Sequence, residues 1–233
     1  MEMRAPLVAA LALPLALLAS QVAARQEEQV SETSTRTLYL GLIGQARADG
    51  KPRAALAYLD DFERQHPDDR EARILRVNCL LDLNQIDGAR QALARIPADD
   101  RSAGALAVRG HVLTAQGQWG DAAQAYAAAQ AASPADPFIA NAHGYAQLRA
   151  GAGVQAVETL RRALDLVPDG APANAVVRNN LALALTATGR SAEAAALLSR
   201  IRDTTERSRV QQELGREALR IAQAGGGILP MAQ

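Results

Sequence analysis

Three histidines, one cysteine and a few paired acids are the residues of this 233-residue chain whose types could do chemistry. A zinc site needs several His or Cys side chains at close spacing. His66, His111 and His143 stand far apart in the sequence, and Cys79 sits alone among Val77, Leu80 and Leu81, so no metal is expected. A single cysteine cannot close an internal disulfide, and mid-helix it reads as a small buried hydrophobe. The acid pairs Asp60–Asp61, Asp68–Asp69 and Asp99–Asp100 fall where helices are expected to begin or end, and capping and solvation account for them. No glycine-rich phosphate loop follows a strand, no Gly-x-Ser-x-Gly elbow occurs, and no strand is predicted. The expectation is a chain without catalytic residues, cofactor or enzymatic activity. His143 reads as an interior histidine with a satisfied partner, and His111 as a residue on an open face.

The elements that position these residues repeat. Gly110, Gly117, Ala122, Ala129 and Pro134 recur 34 residues later as Gly144, Gly151, Ala156, Ala163 and Pro168. A fixed period of this length marks an array of supersecondary units. Two antiparallel helices approach closely only where their crossing side chains are nearly absent, which assigns Gly110, Ala122, Ala129, Gly144, Ala156, Ala163, Ala182 and Ala194 to packing. Glycine within a helix costs about 1 kcal/mol relative to alanine, so close approach must offset it at Gly110 and Gly144. Gly117 and Gly151 end the first helix of each unit and the prolines the second.

This pattern resembles the tetratricopeptide repeat family. The unit from Ala103 supplies Leu106, Gly110, Gly117, Ala122, Tyr126, Ala129 and Pro134, with Trp119 in its turn. The implied fold is an all-α tetratricopeptide-repeat solenoid of about five helix-turn-helix hairpins with a C-terminal capping helix and no sheet. The units are read as residues 36–69, 70–102, 103–136, 137–170 and 175–206. In the first, Tyr39, Leu42 and Ile43 give the apolar face of the leading helix, and Ile43 holds the small-residue position. In the second, Asn84 replaces the turn glycine. Residues 169–174 form an insertion expected to make a longer loop, residues 207–224 the cap with Val210, Leu214, Ala218 and Ile221 on its apolar stripe, and 225–233 a disordered tail.

Acidic and basic residues number 25 each, so no counterion-driven nucleic-acid affinity is implied, and aromatic residues are only 3%, which suits a thin alanine-rich helical array. Arg4 precedes an apolar run from Ala5 to Leu18 with a small-residue exit at Val22–Ala24, the layout of a secretory signal peptide over residues 1–24. The expected location is therefore exported and periplasmic after cleavage behind Ala24. The alternative is an inner-membrane anchor through the uncleaved segment, the only membrane contact foreseen. Gln21 occupies the place a lipid-bearing cysteine would need, which excludes lipidation there. Residues 25–35 are polar and read as a flexible tether.

By resemblance to the family, the first helices line a concave groove that takes an extended peptide or a partner helix. Position by position this places Asn78, Leu81 and Asp82 of the second unit on the groove, with Glu71 and Ile74. It adds Ala107, His111 and Thr114 of the third, Phe138, Asn141, Tyr145, Leu148 and Arg149 of the fourth, and Asn179 and Leu183 of the fifth. Asparagine can pair with a peptide backbone, and Phe138 and Tyr145 can anchor an apolar side chain. The lysine clamp that some chaperone-binding members use is absent, since Lys51 is the one lysine. The stretch Arg178–Arg190 and the stretch around Asp49–Pro67 look like TadD-type proteins of tight-adherence (Flp) pilus systems. That resemblance implies a scaffold that docks a pilus component or secretin. A periplasmic holder of unfolded segments and a regulatory subunit of an envelope enzyme are the alternatives.

Overall fold

The computed structural model describes residues 34–168 and 170–224. The expected signal segment, the tether except its last two residues, and the tail lie outside them. Eleven helices and no strand occur among the described residues. They fall into two compact units divided after Pro67.

In the first unit, α1 is helical over residues 34–48 and α2 spans Pro52–Gln65, with proline in the first turn where its missing N–H is harmless. Gly50 adopts φ +73° between them, a conformation glycine takes without a Cβ penalty. Leu40, Ile43 and Ala46 are buried, as are Ala55, Leu59 and Phe62 of α2. Tyr39 meets Phe62 at 5.7 Å between ring centroids. The reading that put Leu42 on this stripe is corrected. Leu42 is 49% exposed and Leu38 75%, because the helical period aligns Leu40, Ile43 and Ala46 and turns Leu42 away.

The second unit holds four further hairpins and a terminal helix: α3 (Arg70–Asp82) with α4 (Ile86–Leu93), α5 (Ala103–Ala115) with α6 (Trp119–Ala132), α7 (Pro137–Arg149) with α8 (Gly153–Asp165), α9 (Pro172–Ala187) with α10 (Ser191–Leu198), and α11 (Thr204–Ala224). Asn84 stands at φ +56° at the α3–α4 turn, the one non-glycine among the described residues with positive φ, and Gly117, Gly151 and Gly189 serve the later turns. The helix crossings explain the small residues. A Cβ on Gly110 would lie 2.6 Å from the Tyr126 ring, and one on Gly144 2.5 Å from Leu160 Cγ. Ala122, Ala129, Ala156, Ala163, Ala182 and Ala194 are all buried.

The insertion before the last hairpin does not form a long loop. Gly170 turns at φ +83° and Pro172 already opens α9, so most of the added residues lengthen that helix to 16 residues. Helix α11 begins at Thr204, three residues before the expected start, because Asp203 Oδ1 accepts the N–H groups of Thr205 and Glu206 at 2.8 and 3.1 Å. Its Val210, Leu214, Ala218 and Ile221 pack with Leu181, Leu183, Leu185 and Leu198 in one apolar cluster. None of the described helices is long and apolar enough to cross a membrane.

Candidate partner-binding surface

Side-chain caps fix where three of the four first helices of the second unit begin. Asp69 Oδ1 accepts Ala72 N–H at 2.9 Å, Ser102 Oγ accepts Ala105 N–H at 3.3 Å, and Asp136 Oδ1 accepts Phe138 and Ile139 N–H at 2.8 and 3.1 Å. Each satisfies amide groups that a helix start leaves open. α9 lacks such a cap and starts on Pro172 instead.

Polar side chains then tie these helices to one another. His111 Nδ1 lies 3.0 Å from Asn78 Oδ1, joining α5 to α3, and its ring rests 5.6 Å from that of Tyr126. Tyr126 is buried, its hydroxyl lies 3.2 Å from Thr114 Oγ1, and burial pushes its pKa up to about 12. Asn180 Nδ2 donates to Asn141 Oδ1 at 2.9 Å, joining α9 to α7. An amide at each of these places can meet a peptide group as readily as another side chain.

An aromatic and cationic cluster joins α7 of the fourth unit to the start of α6 in the third. The Arg149 guanidinium lies 4.0 Å from the centroid of Trp119 and donates to the Tyr145 hydroxyl at 3.1 Å. Tyr145 meets Trp119 edge-on at 6.0 Å. Cation–π contact of this kind holds a long side chain in place while leaving guanidinium N–H groups to bond elsewhere. Phe138, at the start of the same helix, is 68% exposed, and Val176 on α9 is 56% exposed. Asp82 is exposed and Leu81 half-buried at the end of α3. The Asn179 Oδ1 atom is buried without a hydrogen-bond partner.

Several expectations for this surface need correction. Ala107, Leu148 and Leu183 are buried, so none presents a side chain to a partner. Leu148 and Leu183 belong to the cluster that α11 joins, whereas Ala107 packs with Leu106, Ala129 and Ile139. Asn180, which sequence reasoning passed over for Asn179, is the residue that reaches Asn141. Among the described residues no group of three His, Cys, Asp or Glu side chains converges as a metal site. His143 is half-buried with Nδ1 2.7 Å from Gln130 Oε1, and it lies off this surface.

A family model described as tetratricopeptide repeat matches residues 46–110 and 147–215, and a second of the same description matches 107–171. No curated protein matches the chain. Among solved structures, a thermophilic tetratricopeptide-repeat protein of Thermus thermophilus is 22% identical with a TM-score of 0.61, covering 81% of this chain and 98% of its own. MamA from residue 41 onward, of Desulfovibrio magneticus RS-1, is 22% identical with a TM-score of 0.52 and coverages of 78% and 96%. YrrB, described as a repeat protein with an unusual peptide-binding site, is 15% identical with a TM-score of 0.51 and coverages of 78% and 90%. At these identities the likeness is one of fold.

Proposed function

Since the chain belongs to the tetratricopeptide repeat family, whose members generally mediate protein–protein contacts, we propose that it is a non-catalytic scaffold that holds an extended peptide or helix of a protein partner on its first-helix face. The observation that carries this reading is the run of side chains from Asn78 and His111 through Phe138, Asn141, Tyr145 and Arg149 to Asn179 and Asn180. It combines amides with spare hydrogen-bonding groups, an exposed aromatic ring and a cation held by aromatic stacking. Asn141 Oδ1 already takes one bond, while its own N–H groups have no partner among the described residues. A peptide carbonyl would satisfy them. Phe138 is the natural anchor for an apolar side chain, since exposed aromatic residues carry much of the energy of contact surfaces.

The finer reading is an exported protein, released behind Ala24, that assists assembly of a tight-adherence pilus or its secretion machine. The residues that support it are the signal-like segment at the start and the TadD-like stretches at 49–67 and 178–190. Crosslinking the full chain in cell envelopes, capturing it and sequencing its first residues tests both parts. A chain beginning at Arg25 that brings down a pilus component or secretin in fixed ratio is expected. A diffuse set of envelope proteins would favour a holder of unfolded segments, and an intact Met1 an anchored protein.

A further inference from the structure

Phe138, Tyr145 and Arg149 stand on one side of α7. Each of the last two is turned only about 20° from Phe138 around the helix axis, so the three form a stripe from the first turn of the helix to its last residue. Asn141 lies at the edge of this stripe, about 60° away.

The far end of the stripe offers donors and no free acceptor. Arg149 Nη1 donates to the Tyr145 hydroxyl at 3.1 Å, and the guanidinium lies 4.0 Å from the centroid of Trp119 and 5.9 Å from that of Tyr145. Among the described residues these two rings are its only polar or ring partners. Nε and Nη2, the edge that meets a carboxylate with two parallel bonds, therefore have no described acceptor. The Tyr145 oxygen accepts from Arg149, which leaves its own O–H to donate. Other arginines find their acids within the chain: Arg161 and Arg190 share Glu193, and Arg209 pairs with Glu206. Arg149 is half-buried without such a countercharge, and a charge taken out of water is costly unless paired.

We infer that the partner segment is an extended chain with an acidic side chain seated on Arg149 and Tyr145 and, four positions away, an apolar side chain seated on Phe138. The inference rests on the first-helix reading proposed above and names the chemistry of its ligand. An extended chain is required because the free N–H groups of Asn141 need a peptide carbonyl, and the carbonyls of a helix are already bonded. The spacing follows from α7. Its rise is about 10 Å from Phe138 to Tyr145 and about 16 Å to Arg149. The guanidinium reaches back to the Tyr145 hydroxyl, so the acid seat falls between these limits. Four residues of extended chain span about 13 Å and, with a period of two, turn both side chains to one edge. A lone guanidinium suits a carboxylate, whereas phosphorylated segments are met by clusters of arginine.

Trp119, the one tryptophan of the chain, reports occupancy through its fluorescence and its indole N–H resonance. The full chain is titrated with Ac-Ser-Leu-Ser-Thr-Ser-Glu-Ser-amide and three relatives: glutamine for the glutamate, lysine for the glutamate, and glutamine with a free terminal carboxylate. A saturable change is expected with the glutamate probe, at least about fivefold weaker with glutamine, weaker still with lysine, and reduced by salt. Arg149→Gln is expected to bind the glutamate and glutamine probes alike. Phe138→Ala is expected to weaken both while keeping their ratio, and both variants to retain native helicity. Equal binding of the two probes by the native chain, or discrimination that persists in a folded Arg149→Gln chain, overturns the acid seat. The partner surface itself still stands if Phe138→Ala weakens both probes. Tighter binding of the free-carboxylate relative than of the glutamate probe would move the seat to a chain end and overturn the inference as well. So would absence of saturation with every probe, in which case crosslinking of the full chain in cells judges the surface separately.

Discussion

At Gly144 the chain has no room for even one more carbon. An added Cβ would sit 2.5 Å from Leu160 Cγ, and Leu160 is fully buried and has nowhere to turn. Gly144→Ala is therefore expected to destabilise the second unit by roughly 1–3 kcal/mol despite alanine's better helix propensity, read as a lower thermal midpoint. Asp100 sets a second test. Its carboxylate is buried, accepts Ser102 N–H at 2.9 Å and pairs with Arg70 at 3.0 Å. The Ser102 backbone bond, with the Ser102 side chain and the charges of Arg70 and Arg109, outweighs desolvation and lowers its pKa. A folded pKa below the unfolded one contributes stability that is present above the unfolded value of about 3.9 and lost as pH falls through the folded value. Stability is thus expected to decline below about pH 4, and Asp100→Asn is expected to be less stable near neutrality with a shallower acid decline. Equal acid slopes in the two chains would remove Asp100 from the account.

Helices are where the sequence was most readable, and the reason is steric. The 34-residue period places small residues at crossings, and a crossing tolerates few alternatives, so Gly110, Ala122, Gly144 and Ala156 announced the hairpins. Faces were harder. Tyr39, Leu40, Leu42 and Ile43 are four apolar residues within five, and only the packed helix decides that Leu40 turns in and Leu42 out. Leu183 is covered because α11 packs on α9, a tertiary fact absent from the local pattern. The pairing of Asn141 with Asn180 rather than Asn179 follows the insertion ahead of α9, which no repeat register fixes. By contrast the start of α11 was written as Asp203-Thr-Thr-Glu206, a capping signal left unread. The same helix provides a test: removing residues 204–233 uncovers Leu183 and Leu185. Each buried side chain of that size contributes about 1.5–3 kcal/mol, so the truncated chain is expected to melt lower and bind hydrophobic dye. An unchanged melt would mean that α11 is not the cap of this unit.

The molecule as a whole has equal numbers of acidic and basic residues and one lysine, which leaves shape, amides and aromatic rings rather than net charge to choose a partner. On α7 the Asn141–Tyr145 side serves that choice. Asn141→Ala with Tyr145→Ala is expected to weaken partner capture at least about tenfold, in keeping with the loss of an anchoring cluster, while helicity remains. Undiminished capture by the folded double variant would place the contact elsewhere.

The most direct measurement is site-specific photocrosslinking of the full chain in intact cells, with the reactive group at Phe138 on the proposed surface or at Leu219, an exposed apolar position on α11. A discrete adduct with one or two proteins from Phe138, and none from Leu219, is the result expected if the first-helix face holds the partner. Adducts from Leu219 alone, or the same adducts from both positions, would contradict it.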